Sequence, residues 1–330
     1  MKSFIRNERC LLYVSLIRHW TKMLFGKSYW HVNQGVGHHF VPGQLLGYYN
    51  DLTAKTKWIG QTDGESLPLN EDSNGNLIYF PTTLFQKALG HWDRWIESKE
   101  TDINERTNFL KLAEWSLRNQ DDNGGWSIWP SLGLRYASSY SAMTQGEAAS
   151  VLVRAALINQ DNRYYIASRR AIELMLTPME QGGVCRYTHK GMVLEEAPLV
   201  PHNTMLNGWI FAIYGLYDYF LLAKIWDKDT IWIEKALYES IQSLLAHLPL
   251  FNAGFWSYYD TFGNISSPFY QKLHISQLKA LEMTFPEHEN NIRRWRQLFE
   301  RQANSSLNIV RAVAIKAFQK LLHPPKVVLR

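Results

Sequence analysis

The chain has 330 residues, 46% of them hydrophobic and 20% charged, enough to bury a large core and too apolar for a disordered tail. Its two cysteines, Cys10 and Cys185, exclude a disulfide framework and a four-thiolate zinc site, so nothing in the chain requires an oxidising compartment. A net charge of +5 favours an anionic partner, and the 13 Trp, 17 Tyr and 15 Phe exceed what packing needs, which suggests rings left partly wet for a flat polar ligand such as a sugar.

In chain order, residues 1–26 open with basic side chains and a short apolar run that Arg18 and His19 interrupt. That run is too short to span a bilayer and lacks a small-residue cleavage site, so it is expected to be a cytoplasmic amphipathic segment. Residues 31–76, rich in Gly, His and turn formers, are expected to form short strands or a hairpin. The first domain boundary falls at residue 78, giving an N-terminal extension, 1–78, that is expected to close over a cleft in the part that follows.

Helical periodicity then covers residues 83–97, 104–119, 142–157, 164–176, 205–225, 230–246, 273–283 and 288–302, which makes four helix pairs. Asp102 and Asp161 sit where helix caps belong, and Pro178, Pro198, Pro249 and Pro286 fall outside the periodic runs. Gly-aromatic turns separate the pairs: Asn123-Gly124-Gly125-Trp126, Gly182-Gly183 running into Arg186-Tyr187, Gly254-Phe255-Trp256, and Gly75 running into Tyr79-Phe80. Hairpins repeating at this period predict a mainly α fold, an incomplete α/α toroid over 79–305, with the turns gathered at one end around a cleft. Residues 306–330 form a basic C-terminal helix and tail. Such a helix suits an anionic membrane surface or the pairing of two chains, although packing on its own domain with solvated lysines is the simpler expectation.

Phosphate loops, dinucleotide fingerprints, nucleophile elbows and His-Glu-x-x-His zinc helices are absent from the sequence. Basic residues are spread along the chain and interleaved with acids, which argues against nucleic acid as a partner. Three constellations remain. The first is Ser139 to Glu147, which includes Tyr140 and Gln145; the second is Glu195-Glu196-Ala197-Pro198 with His202-Asn203 and Leu206-Asn207-Gly208-Trp209; the third is Trp256-Ser257-Tyr258-Tyr259-Asp260 with Tyr270 and His274.

Through Ser141-Ala142-Met143-Thr144-Gln145-Gly146-Glu147, Leu206-Asn207-Gly208-Trp209, Leu248-Pro249-Leu250, and Tyr270 with His274-Ile275-Ser276-Gln277-Leu278, the chain resembles the D-glucuronyl C5-epimerases. These convert glucuronate to iduronate within heparan sulfate or heparosan chains. The resemblance covers residues 79–302, the helical domain of that family. Animal members carry a Golgi anchor and a β-domain ahead of the helices; this chain shows neither, so the resemblance implies a compact, bacterial-type member. It further implies that Glu196 and Tyr270 are the acid/base pair and Tyr259 a further active-site tyrosine, that no cofactor is used, and that the protein is a homodimer. Where the family has a tyrosine after the paired glutamates this chain has Ala197, and Tyr187 or Tyr258 is expected to supply that hydroxyl.

Elementary chemistry leads to the same groups. Inversion at C5 of a uronate needs an acid/base group on each face of the ring and donors around the substrate carboxylate. Arg135, Arg186 and Lys190 suit that carboxylate, Arg186 best because it follows a Gly-aromatic turn. Tyr140, Gln145, Asn207, Trp256, Tyr258 and His274 complete the expected binding surface, His274 orienting Tyr270 from one helical turn away. The partner is then an acidic, glucuronate-containing polysaccharide or lipid-linked glycan, handled at the cytoplasmic face of a membrane. A lyase shares the first proton abstraction; a glycoside hydrolase could use Glu196 with Asp260; and a non-catalytic glycan-binding protein is the reading that Ala197 favours.

Overall fold

The computed structural model describes residues 32–323 and Leu329. The basic amphipathic start, Cys10 and the basic end of the tail lie outside the described residues.

A three-stranded antiparallel sheet comes first, with β2 (Pro68–Glu71) between β1 (Gln61–Thr62) and β3 (Leu77–Ile78). Four helical hairpins follow: α1 (Pro81–Glu97) with α2 (Ile103–Arg118), α3 (Ala142–Asn159) with α4 (Asn162–Leu176), α5 (Leu206–Ile225) with α6 (Ile231–His247), and α7 (Pro268–Thr284) with α8 (Glu289–Ala303). The caps read from sequence are present, since the Asp102 carboxylate accepts from the backbone N–H groups of Asn104 and Glu105 and that of Asp161 from Arg163. The last inner helix starts earlier than its periodicity suggests. Ser267 caps it and Pro268 takes its first turn, so Tyr270 lies in that first turn, one helical turn before His274.

The first helix of each pair packs against the first of the next, α1 on α3, α3 on α5 and α5 on α7, which is the inner wall of an α/α toroid. Inner helices are buried nearly all round, whereas α2 buries only the stripe Phe109, Leu112, Ala113 and Ser116. The tightest inner contact uses missing side chains: a Cβ on Gly146 would lie 2.6 Å from the Phe211 carbonyl oxygen, and one on Gly215 would meet the Gly146 backbone.

The inner helices begin at one end of the arc, and the hairpin connections knit together there. Ala142 N–H donates to Glu195 O, Ala137 N–H to Pro198 O, and Leu206 N–H to Tyr259 O. The opposite end is plugged by residues 34–52. Tyr48 N–H donates to Asp93 on α1, Arg154 on α3 donates to Gly47 O, Tyr49 OH donates to Asp218 on α5, and Asn50 donates to Ser276 on α7. The described part of the extension therefore seals the far end of the axis instead of covering the end where the turns gather. Its aromatic and turn residues were suited to either role, and the buried carboxylates of α1 and α5 that fix it belong to helices distant in sequence.

A final helix, α9 (Ser306–Leu322), lies on α7, α8 and the α6–α7 connection. Its lysines are not solvated as expected: Lys316 and Lys320 turn inward and are half-buried, while Leu307, Val310, Phe318 and Leu321 face outward. Among the described residues no helix is long and apolar enough to cross a membrane.

At the centre of the plugged end, fully buried Arg154 meets Asp218 at 2.5 Å, and Tyr49 stacks on Tyr214 with ring centroids 3.9 Å apart. Removing either partner of such a pair leaves an uncompensated buried charge. Arg154→Leu and Asp218→Leu are each expected to cost roughly 3–5 kcal/mol in denaturant unfolding, while the double leucine variant recovers much of it. Equal, additive losses would contradict a direct pair.

Candidate active site

The site is built where the hairpin connections meet. Between α4 and α5 the chain forms a hairpin, β4 (Cys185–Thr188) paired with β5 (Gly191–Leu194), and leaves it extended. Adjacent side chains of an extended chain point to opposite sides. Glu195 points inward, fully buried, onto Arg186 at 2.7 Å and the Thr204 hydroxyl at 2.9 Å. Glu196 points the other way, onto the first turn of α5, where the Asn207 side-chain amide donates to Oε2 at 3.4 Å. Gly208 makes the room, because a Cβ there would collide with the Glu196 carboxylate.

Two phenols face that carboxylate. Tyr259 is held at the start of α5 by the hydrogen bond from Leu206 N–H to its carbonyl, and its own N–H donates to Asn264 O at 2.7 Å. Tyr270, on the first turn of α7, meets Tyr259 edge to face with ring centroids 4.7 Å apart. The Tyr259 hydroxyl is hydrogen bonded to both Glu196 and Tyr270. Burial pushes Glu196 up to about 7, opposed by the hydrogen bonds from Tyr259 and Asn207. Burial, and next the Glu196 charge, hold both phenols well above the ordinary tyrosine range. Near neutral pH the cluster thus pairs one carboxyl group poised to titrate with two protonated phenols.

Asn207 belongs to this cluster, and its buried Oδ1 has no partner. The other expected contacts are distributed differently. Arg186 is spent on Glu195 and Thr204. Tyr187 lies on β4 beside Cys185 and is 64% exposed, so it does not replace the hydroxyl missing at Ala197; Tyr258, half-buried over Gly263, is not bonded to Glu196 either. Arg135 is exposed on the α2–α3 connection, and the Tyr140 hydroxyl donates to Asp121 at 2.7 Å. Gln145 is sealed against the Trp126 carbonyl. Trp256 and His274 lie beneath the site, the indole donating to Ser266 O and His274 Nδ1 set 3.0 Å from the Ser257 hydroxyl. Burial lowers His274 to about 3, so it is neutral and braces the Tyr259 loop instead of touching a ligand. Asp260 is also spent, accepting from Asn203, Asn264 and the Phe262 N–H.

Sequence reasoning missed Gly208 as the residue that admits the carboxylate, and Lys316, whose ammonium lies 5.7 Å from the Tyr259 ring centroid. A separate hollow between α2 and the β-sheet, lined by Asp63, Tyr79, Lys111 and Trp115, contains none of the cluster. Among the described residues no group of three or more His, Cys, Asp or Glu side chains could hold a metal ion.

The connections of this α/α toroid assemble a half-buried carboxyl group and two phenols, and the comparisons give the chain a family. The family model of the D-glucuronyl C5-epimerase C-terminus matches residues 120–299, and the chain belongs to that family. It is 27% identical to the D-glucuronyl C5-epimerase of Caenorhabditis elegans over 64% of this chain and 38% of the relative. It is 30% identical to an uncharacterised protein of Methanocaldococcus jannaschii over 42% of this chain and 44% of that one. The chain thus spans less than half the length of these relatives. A solved structure of UGL with an oligosaccharide is 16% identical, with a TM-score of 0.44 over 70% of this chain and 61% of that one.

A raised carboxyl pKa has a thermodynamic signature. The folded state holds the Glu196 proton more tightly than the unfolded chain, so its contribution to stability falls as pH rises from about 4.5 to about 7. Glu196→Gln escapes this loss. Thermal unfolding is expected to show E196Q more stable than the wild type at pH 8, with the difference shrinking below pH 5; a pH-independent difference would contradict the buried carboxyl.

Proposed function

We propose that the protein is a uronate C5-epimerase that converts D-glucuronate to L-iduronate residues within a polysaccharide of heparosan type or a lipid-linked glycan. The observation that carries this reading is the Glu196–Tyr259–Tyr270 cluster, a near-neutral carboxyl group facing protonated phenols. Glu196, as carboxylate, takes the C5 proton, and the C–H electron pair moves onto the adjacent substrate carboxylate. The Tyr270 hydroxyl returns a proton to C5 from the opposite face, leaving a phenolate and a protonated Glu196. Tyr259, bonded to both, offers the path by which that proton passes back and restores the resting state.

Asp260 is saturated with donors, which disfavours a hydrolase pair with Glu196. On this reading the enzyme works at the cytoplasmic face of a membrane, by peripheral contact or as a homodimer; the support for either is the apolar outward stripe of α9, Leu307, Val310, Phe318 and Leu321.

Incubating the enzyme with a glucuronate polymer in heavy water is expected to load deuterium at C5, with a rate that climbs through pH about 7 as Glu196 ionises. Tyr270→Phe and Glu196→Gln abolish loading. An unsaturated, ultraviolet-absorbing product in place of exchange would replace this reading with a lyase. Gly208→Ala should fold, since alanine favours a helix, yet lose on the order of a hundredfold in exchange by displacing the carboxylate. Wild-type exchange in G208A would contradict the role given to that contact.

A further inference from the structure

Removing a proton beside a carboxylate drives negative charge onto it, and a fixed cation near that carboxylate lowers the barrier. Of the arginines nominated from sequence, Arg186 is held by Glu195 and Arg135 is exposed to solvent. Helix α9, which begins beyond the residues matched by the family model, brings Lys316 to the Tyr259 ring of the cluster, with Lys320 beside Lys316.

This helix is locked onto the loop that carries Tyr259. Ala312 is fully buried against Trp256 and Ile265. The Gln319 side chain accepts from Ile265 N–H at 2.9 Å and donates to Gly263 O at 3.1 Å, and the Arg311 guanidinium stacks on Phe255 at 3.9 Å. Lys316 stands between those anchors, one turn after Ala312, and Lys320 follows one turn later. Burial, and next Lys320, bring Lys316 down to about 8; Asp260 pulls it back up. Burial lowers Lys320 as well. Among the described residues neither lysine makes an ion pair, and Asp260 already accepts from its own loop and Asn203. Two half-buried ammonium groups that form no ion pair among the described residues are stabilised when an anion joins them.

We propose that Lys316, seconded by Lys320, binds the carboxylate of the uronate undergoing inversion, so that α9 supplies the cation that accepts the developing charge. This rests on the epimerase reading of the site, and it makes the C-terminal helix a determinant of selectivity for uronates over neutral sugars.

The test compares wild type, Lys316→Gln, Lys316→Arg and Lys320→Gln by tryptophan fluorescence titration with a heparosan oligosaccharide and with the same oligosaccharide after reduction of its carboxyl groups. Wild type is expected to prefer the acidic form by about tenfold or more, Lys316→Gln to lose most of that preference, Lys316→Arg to retain it, and Lys320→Gln to fall between. Circular dichroism and melting temperature matching the wild type exclude misfolding, and deuterium loading at C5 should fall with the preference in K316Q. No preference in the wild type, or an undiminished one in K316Q, overturns the proposal. If the wild type binds selectively but never loads deuterium, the epimerase reading fails while the anion subsite stands; if it loads deuterium and K316Q does so equally, the subsite fails alone.

Discussion

The site depends on one packing contact, the Glu196 carboxyl group laid against the first turn of α5 in the space that Gly208 leaves open. A carboxylate so enclosed loses much of its hydration, and the Asn207 amide and Tyr259 hydroxyl compensate only in part. The net effect is a carboxyl group whose proton is exchangeable at neutral pH. Tyr259 and Tyr270, which sense the same negative charge, keep their protons firmly. A titratable carboxyl group and two protonated phenols are thus set apart by their environment.

The two ends of the toroid divide the work. One is closed by residues 34–52 through a network in which Arg154 meets Asp218, Asp93 accepts from Tyr48 N–H and Asn50 donates to Ser276, while Asp93 Oδ2, Asn50 Oδ1 and Arg154 Nε have no hydrogen-bond partner among the described residues. The other also has buried polar atoms without a hydrogen-bond partner among the described residues, Asn207 Oδ1 and Gln145 Oε1 among them, and there α9 brings the Lys316 ammonium to 5.7 Å from the Tyr259 ring centroid. Beside the site, the pairing of Glu195 with Arg186 anchors the extended chain that presents Glu196.

Much of the helical frame was legible because inner and outer helices carry different periodicities and because Asp102 and Asp161 announce their starts. The start of α7 was hidden because Ser267-Pro268 reads equally as a turn, so the periodic run was begun only at residue 273. Within the site, Glu196, Tyr259 and Tyr270 converge as their motifs suggested, and Asn207 joins them. Arg186 did not behave as a free cation because its partner, Glu195, sits on the paired strand nine residues away, a register that sequence alone does not disclose. His274 and Trp256 were motif residues whose burial comes from the α9 and α8 packing above them. The lysines of α9 were misread as solvated because the apolar stripe of that helix faces outward, the reverse of the usual surface arrangement.

The account stands on the electrostatic state of one side chain, and that state can be observed without any substrate. Selective ¹³C labelling of glutamate side chains, with Glu196 assigned by its loss in E196Q, allows its carboxyl carbon to be followed by NMR through a pH titration. A midpoint near 7 is the predicted result. A midpoint at the ordinary glutamate value, near 4.5, would mean that the carboxylate is solvated and that the enclosed base on which the chemistry depends does not exist.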